Sequence, residues 1–221
     1  QKHGLSFLVV DTNTPHALAH NGFADRRAAS ESCAKALGLT FLRDALPEDL
    51  SCAHHDEREA KEWRLELVDS SVNRSLTALE EREDPATFPR GWVRHAFHDM
   101  TLVGRASYLL KHADELGYRA FEEAGRIFTE SFISMRDELR VSRPEIDAAV
   151  ETCLAHGALG ARIVGGGFGG AVMALVKTSR LEETAQAIAQ AYAEHGYAEP
   201  RFLPMVAGFP ADCDWLSENF R

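Results

Sequence analysis

The feature that most restricts the fold is a dense group of glycines at residues 165–170. Five of the chain's 16 glycines lie there, interrupted only by Phe168. Glycine tolerates positive φ and lets another segment or a ligand approach the main chain without meeting a Cβ. Short β-type runs at Ala161–Val164 and Ala171–Val176 flank the group. The sequence therefore predicts a tight hairpin turn, which either packs against its own chain or holds an anion on main-chain amides.

Two familiar phosphate-binding motifs do not account for these glycines. Positions 165, 167 and 170 match G-x-G-x-x-G, but that dinucleotide fingerprint needs a helix directly after it and an acidic residue about 20 positions on. A strand-like run follows instead, and the region about 20 positions on holds Gln186 and Gln190. A Walker A loop is excluded as well, because no Lys-Ser or Lys-Thr follows the glycines.

The periodicity of the rest of the chain predicts an α+β domain over residues 1–221. Leu5–Asp11 is typical of a buried strand, and 201–207 of a last strand. Amphipathic stripes predict helices in the ranges 23–37, 56–83, 92–112, 118–136, 142–156 and 181–192. Helices do not alternate regularly with strands, so the order favours an antiparallel sheet of about four strands covered by helices.

Local signals refine two of these helices. The turn at Asp114–Gly117 predicts that the helices on either side of it pair antiparallel. Ser142 and Glu145 form a predicted capping box, in which each side chain bonds the backbone amide near the other.

Charge and composition exclude several functions. The chain has 221 residues, with 34 acidic against 24 basic side chains. A net charge of −10 repels nucleic acid, and no run of about 18 apolar residues exists that could span a membrane. The four cysteines match no C-x-x-C pair, which favours a reducing, cytoplasmic location. The chain begins at Gln1 without an initiator Met or a leader pattern, so we expect it to be a piece of a longer protein.

The glycine turn and several other strings together resemble the GHMP small-molecule kinases. Residues 160–170 resemble the family's third motif, in the G-x-R-M-T-G-G-G-F-G-G form of galactokinases. In order along the chain, residues 11–12, 23–27, 42–44, 94–95, 130–137 and 142–147 resemble the galactokinase strings D-T/S, Y-x-x-R-R, L-R-D, R-H, E-S-H-x-S-L/M-R-D and S-x-P-E-L/I-D.

This resemblance implies a function for the longer protein. Galactokinases transfer the γ-phosphate of Mg-ATP to the anomeric hydroxyl of galactose, in a cleft between two domains. This chain resembles the C-terminal, ferredoxin-like domain, and its expected partner is an N-terminal domain that binds sugar and ATP. The G-R-V-N-L-I-G-E-H and M-D-Q segments of that domain are absent from the 221 residues. The chain alone is therefore expected to be inactive and to hold no catalytic residue or metal ligand.

The resemblance assigns two sets of site residues. Phe23 takes the place of a tyrosine near the sugar, so it is the predicted substrate-binding residue, with ring packing kept and a hydroxyl lost. The predicted nucleotide-binding residues are Gly165, Gly166, Gly167, Gly169 and Gly170.

Departures from the family pattern leave two alternatives open. Val164, Phe132 and Leu102 replace a threonine, a histidine and an arginine. A protein with these changes is a working galactokinase, or else a catalytically silent sensor of sugar or nucleotide on the same scaffold. A GHMP kinase for another small alcohol is a further alternative, against which the strings at 23–27 and 42–44 argue.

Other polar groups have structural explanations beside functional ones. His95, His98 and Asp99 share a helix face that could hold zinc, or they are hydrogen-bonded beside the apolar stripe. His54, His55 and Asp56 fit a loop and helix cap better than a metal site. Arg26 and Arg27 are expected to pair with Asp25 or Glu31 rather than with substrate. Three aromatic residues recur at helical spacing, which predicts that they pack in the core: Phe121, Phe128 and Phe132.

Overall fold

The computed structural model describes residues 3–15, 23–36, 39–45 and 90–205. Strand β1 is followed by helix α1 and a 3₁₀ turn, then by four helices, a β-hairpin, a helix and a last strand. This order agrees with the sequence-based prediction of an α+β domain. The elements are β1 Leu5–Asp11, α1 Phe23–Ala36, a 3₁₀ turn Leu42–Ala45, α2 Arg90–Lys111, α3 Ala113–Leu116, α4 Tyr118–Asp137, α5 Pro144–Ala155, β2 Gly160–Val164, β3 Ala171–Lys177, a 3₁₀ turn Thr178–Arg180, α6 Leu181–His195 and β4 Arg201–Met205.

The four strands form one antiparallel sheet in the order β2-β3-β1-β4. The register places Leu8 opposite Ala174, which in turn lies opposite Ala161. Alternate residues of β1 are buried, as the two-residue period of a strand requires when one face is packed. The predicted antiparallel sheet of about four strands is therefore confirmed.

Helices α5 and α6 cover the fully buried face of this sheet. Leu8 and Val10 of the central strand lie in one cluster with Ile146 of α5 and Ile188 of α6, and all four side chains are at most 2% exposed. Tyr192 of α6 adds its ring to the same core. Its hydroxyl donates to the carbonyl of Glu145 at 2.5 Å, so the phenol is buried without leaving its donor unpaired.

Helix α4 reaches strand β2 through a contact between two glycines. A Cβ on Gly160 would lie 1.7 Å from the carbonyl oxygen of Gly125, and a Cβ on Gly125 would lie 2.3 Å from that of Leu159. The backbones of helix and strand thus touch where side chains would hold them apart. Helix α4 also packs along α2, with His95 beside Ser134 at one end and Arg105 beside Glu123 towards the other, so the predicted antiparallel helix pair is confirmed.

Two local predictions were wrong. Residues 113–116 form the short helix α3 rather than a simple turn. The capping box does not form, because Arg143 is the N-cap of α5, Pro144 takes its first turn, and no side chain caps it. Proline removes an unpaired amide from that turn, and the hydroxyl of Ser142 instead donates to the carboxylate of Asp147 at 2.5 Å.

Several predicted features fall outside the described residues. These are the helix at 56–83, the histidines at 54–55 and the end of the last strand beyond 205. Among the described residues, Cys153 is a free, buried thiol whose pKa is raised by burial to about 12. In the described part of the chain, every helix is too short or too polar to cross a bilayer.

The glycine contact between α4 and β2 can be tested by substitution. We expect Gly125→Ala to lower the free energy of unfolding by about 3 kcal/mol, the upper range for overpacking, because its Cβ meets backbone that cannot move aside. The measurement is urea unfolding followed by circular dichroism.

The matched control is Gly104→Ala, in helix α2. A Cβ at this exposed position has nothing within 4 Å, and alanine favours a helix by roughly 0.5–1 kcal/mol over glycine. The control is expected to be more stable than the wild type. Equal effects of the two substitutions would contradict the close backbone contact.

Candidate functional site

The loop at residues 165–170 connects β2 to β3 as the sequence predicts. Four consecutive residues, from Gly167 to Gly170, have positive φ, and so does Gly165 at +85°. The one side-chain residue among them is Phe168, at φ +60°. L-residues visit this region at a cost, so the concentration of glycine follows from the backbone path of the loop.

The glycines of this loop have two different environments. Gly165 and Gly166 are exposed, and a Cβ on Gly165 would meet nothing within 4 Å. Gly167 and Gly169 are buried against the chain itself. A Cβ on Gly167 would lie 2.5 Å from the carbonyl oxygen of Val141, and one on Gly169 would lie 2.8 Å from that of Thr14. Internal packing, one of the two alternatives left open by the sequence, therefore applies to Gly167 and Gly169. The other alternative, an anion held on main-chain amides, stays a prediction for the exposed glycines.

Hydrogen bonds fix the buried half of the loop from two sides. The amide of Phe168 donates to the carbonyl of Val141 at 2.7 Å. On the other side, the amide and the hydroxyl of Thr12 both donate to the carbonyl of Gly170, at 2.9 and 2.6 Å. Thr12 directly follows β1, and Val141 lies in the linker between α4 and α5. The loop is thus held by segments far from it in sequence.

The exposed half of the loop keeps its amides unused. Among the described residues, no group accepts a hydrogen bond from the backbone amide of Gly165 or Gly166. Main-chain amides without a Cβ beside them can form a concave site for anions. That Gly165 and Gly166 hold a phosphate oxygen stays a prediction.

Phe23, the predicted substrate-binding residue, lies on a different element from the glycine loop. Phe23 is the first residue of α1, but its side chain lies outside the described residues. Its role in sugar binding stays a prediction.

The polar face of α2 contacts α4 rather than holding a metal. His95 Nδ1 lies 3.0 Å from Ser134 Oγ, and His98 Nε2 lies 2.8 Å from Glu130 Oε1. The carboxylate of Asp99 accepts a hydrogen bond from Ser131 Oγ. The hydrogen-bonded alternative is therefore confirmed for these three residues. Within residues 3–15, 23–36, 39–45 and 90–205, no group of three or more His, Cys, Asp or Glu side chains could hold a metal ion.

The arginines at the start of α1 behave differently from each other. Arg27 pairs with Glu31 at 2.9 Å on the exposed face, as predicted. Arg26 donates from Nε to the carbonyl of Leu139 at 2.7 Å, a partner 113 positions away that sequence reasoning missed. Phe132 is core, as expected, at 2% exposure.

The remaining members of the aromatic stripe are half-buried. The ring centroid of Phe121 lies 4.6 Å from that of His3, and that of Phe128 lies 6.5 Å from that of Phe7. Both rings are occupied by contacts inside the domain.

Comparison with known proteins identifies the class to which this fold and loop belong. A family model described as "GHMP kinases C terminal" matches residues 94–198. The glycine loop, helix α4 and most of helix α2 lie within that match. Residues 94–198 thus match the C-terminal domain of the GHMP kinases.

The relatives are galactokinases. The protein from Streptomyces coelicolor is 34% identical over 203 residues, or 92% of this chain and 44% of that protein. The one from Mycobacterium tuberculosis is 33% identical over 193 residues, covering 87% and 44%. The one from Bos taurus is 32% identical over 195 residues, covering 88% and 41%. The chain therefore spans less than half the length of these relatives.

A solved structure shares the fold. The crystal structure of Lactococcus lactis galactokinase complexed with galactose superposes with a TM-score of 0.68, at 22% identity, over 92% of this chain and 45% of that one. The antiparallel sheet with its helical cover is thus the arrangement found in that protein.

The contact between α2 and α4 makes stability depend on pH. Burial lowers the pKa of His95, against the opposing effect of Asp99 and Glu138. Protonation is then easier in the unfolded chain than in the folded one. This contribution to stability is complete above the ordinary histidine pKa of about 6.5 and is lost as the pH falls below it, by up to about 1.4 kcal/mol per pH unit.

We expect His95→Asn to reduce this dependence, because an amide can approach Ser134 without titrating. The measurement is urea unfolding of wild type and variant at pH 8 and at pH 5.5. The pH 8 pair is the control, since histidine is neutral there in both states. An equal loss of stability in the two proteins between these pH values would contradict the assignment.

Proposed function

We propose that the protein containing this chain is a galactokinase, which transfers the γ-phosphate of Mg-ATP to the anomeric hydroxyl of galactose. The chain supplies the loop at 165–170 to the nucleotide side of the active site. A cytoplasmic location is part of the proposal, because that compartment supplies ATP and keeps thiols such as Cys153 reduced. The 32–34% identity to galactokinases supports the choice of substrate over another small alcohol.

The observation that carries the proposal is the pair of exposed glycines, Gly165 and Gly166, whose amides have no hydrogen-bond acceptor among the described residues. Phosphoryl transfer depends on positioning the phosphates and on neutralising charge that develops over the transferred group. Backbone amides can do both without rearranging during the reaction, provided that the loop is already rigid. The hydrogen bonds from Thr12 and Phe168 supply that rigidity.

The remaining chemistry is assigned to the rest of the protein. In the part of the chain that the structure describes, no cluster of carboxylates or histidines is arranged to hold Mg²⁺. A magnesium ion bound with ATP would supply charge neutralisation at the phosphates, and the residues described here would orient the nucleotide beside it. The base for the sugar hydroxyl likewise belongs to the partner domain.

A surface for that partner domain is available on the sheet. Val164, Leu203 and Met205 are 43%, 54% and 50% exposed, and the register places all three on the face opposite the α5 and α6 core. Val164 directly precedes the exposed glycines. We propose that the N-terminal domain contacts this apolar face, which brings its own groups next to the loop.

Two departures from the galactokinase pattern do not favour the silent sensor. Phe132 and Leu102 are 2% and 1% exposed, so these apolar residues pack in the interior, where they fill space instead of meeting a ligand. Val164 is exposed beside the loop, where it could alter a site, and the effect of Phe23, whose side chain lies outside the described residues, is left to the test below.

The proposal is tested by comparing the full-length protein with residues 1–221. With Mg-ATP and galactose, we expect the full-length protein to release ADP and galactose 1-phosphate. The 221-residue chain is expected to turn over on the order of a thousandfold more slowly or not at all, because it lacks the groups that position the sugar. Comparable rates would contradict the division of the site. A full-length protein that binds both substrates without releasing ADP would support the sensor.

The role of the open glycines is tested by Gly165→Ala in the full-length protein. The methyl group is expected to obstruct the approach of the phosphates and to raise the KM for Mg-ATP about tenfold, a loss of about 1.4 kcal/mol. Positive φ at +85° adds strain of roughly 1–2 kcal/mol to the folded state.

Gly196→Ala separates obstruction from strain. Gly196, at the end of α6, has φ +70° and likewise nothing within 4 Å of a Cβ. The control is expected to lose similar stability with an unchanged KM for Mg-ATP. Parallel changes in KM for both variants would show that the loop amides do not meet the nucleotide.

A further inference from the structure

The side chain of Arg26 closes the C-terminal end of helix α4. Its Nε donates to the carbonyl of Leu139 at 2.7 Å, and its Nη2 donates to the carbonyl of Arg140 at 2.9 Å. These carbonyls directly follow the last turn of α4, which ends at Asp137. A cation is favoured at this end of a helix, and hydrogen bonds from a charged donor are stronger than neutral ones.

The glycine loop is bound to the same short linker. The next carbonyl along the chain, that of Val141, accepts the amide of Phe168 at 2.7 Å. The chain turns sharply here, because Arg140 has φ +56°. Three consecutive carbonyls thus receive two donors from Arg26 and one from the loop, so the position of the linker is common to both.

Arg26 also contacts the loop directly. Its guanidinium carbon lies 4.9 Å from the ring centroid of Phe168 and 4.6 Å from that of Trp92. Phe168 is the residue of the loop whose side chain must be accommodated at positive φ. A cation over an aromatic face is attracted to it, and the attraction grows where water is excluded. Phe168 is only 6% exposed, so this contact stabilises an otherwise unfavourable conformation.

We propose that Arg26 is a positioning residue, which holds the glycine loop in the conformation that leaves the amides of Gly165 and Gly166 open. The consequence for nucleotide binding rests on the proposed function. Arg26 acts through the linker 139–141 and through Phe168, and it does not itself contact the nucleotide.

Arginine alone among the side chains fits the two carbonyls and the ring of Phe168 at the same time. A planar guanidinium can donate in two directions within its plane while its face lies over a ring. A lysine ammonium keeps the charge but has neither the plane nor the fixed directions. Arg26→Lys therefore removes the geometry and keeps the charge near the end of α4.

The matched control is Arg27→Lys. Arg27 is the adjacent residue on the same helix and pairs with Glu31 on the surface, with its side chain 75% exposed. Like Arg26, it carries a guanidinium group, and it lies one residue further along α1. Global effects of replacing an arginine in this turn would affect both variants.

The experiment uses the full-length protein and two measurements. Hydrogen exchange of residues 165–170 is followed without nucleotide, and KM values are determined separately for Mg-ATP and for galactose. For Arg26→Lys, we expect loop exchange to rise about tenfold and the KM for Mg-ATP to rise about tenfold, with the KM for galactose within about twofold of wild type. Arg27→Lys is expected to match the wild type in both measurements.

Failure of this inference and failure of the proposed function give different results. Unchanged loop exchange in Arg26→Lys would overturn the positioning role, whether or not the protein is a kinase. Equal increases in both KM values, with exchange raised throughout α2 and α4, would also overturn it, since that is the result of general destabilisation. If the wild type phosphorylates no sugar, the kinase function fails, and loop exchange still decides whether Arg26 holds the loop.

Discussion

The loop at 165–170 takes a backbone path that only distant hydrogen bonds can hold in place. The four residues from Gly167 to Gly170 all have positive φ, a conformation that costs energy for the side-chain residue Phe168. Its shape is maintained by Thr12 on one side and by the carbonyl of Val141 on the other. The sheet places β1 next to β3 and so brings Thr12 to the loop, while α4 carries the linker that ends at Val141. Much of the domain can be understood as the support for these two anchors.

The support depends on close backbone packing as much as on side chains. Helix α4 lies against β2 at Gly125 and Gly160, where no side chain intervenes. Its other side meets α2 through His95, His98 and Asp99, each satisfied by a different residue of α4. A helix fixed on both sides cannot shift along its axis without breaking one of these contacts. Its C-terminal end is therefore a stable base for the linker.

On the proposed function, this arrangement would let one domain contribute to phosphoryl transfer without carrying the reactive groups. A rigid turn with open amides is a preorganised site for charge, and its value lies in not having to reorganise when the phosphate arrives. The base, the metal ligands and the sugar site are then free to reside on a partner domain. The exposed apolar residues Val164, Leu203 and Met205 lie on the face that we propose such a domain contacts.

Periodicity and glycine content were enough to predict the order of elements, the antiparallel sheet and the hairpin turn, because strand alternation, helical stripes and positive φ are properties of adjacent residues. They also predicted the helix pair α2 and α4. They predicted neither the short helix α3 nor Arg143 as the N-cap of α5, because Pro144 occupies the first turn and the side chain of Ser142 does not cap it.

The tertiary structure alone decided which glycines of the loop are exposed, Gly165 and Gly166, and which are buried, Gly167 and Gly169. It also decided that Arg26 contacts Phe168 and the linker before α5. Positive φ favours glycine at Gly165 just as it does at Gly167 and Gly169. Which of them faces solvent is set by Thr14 and Val141, segments that folding brings to the loop from elsewhere in the chain.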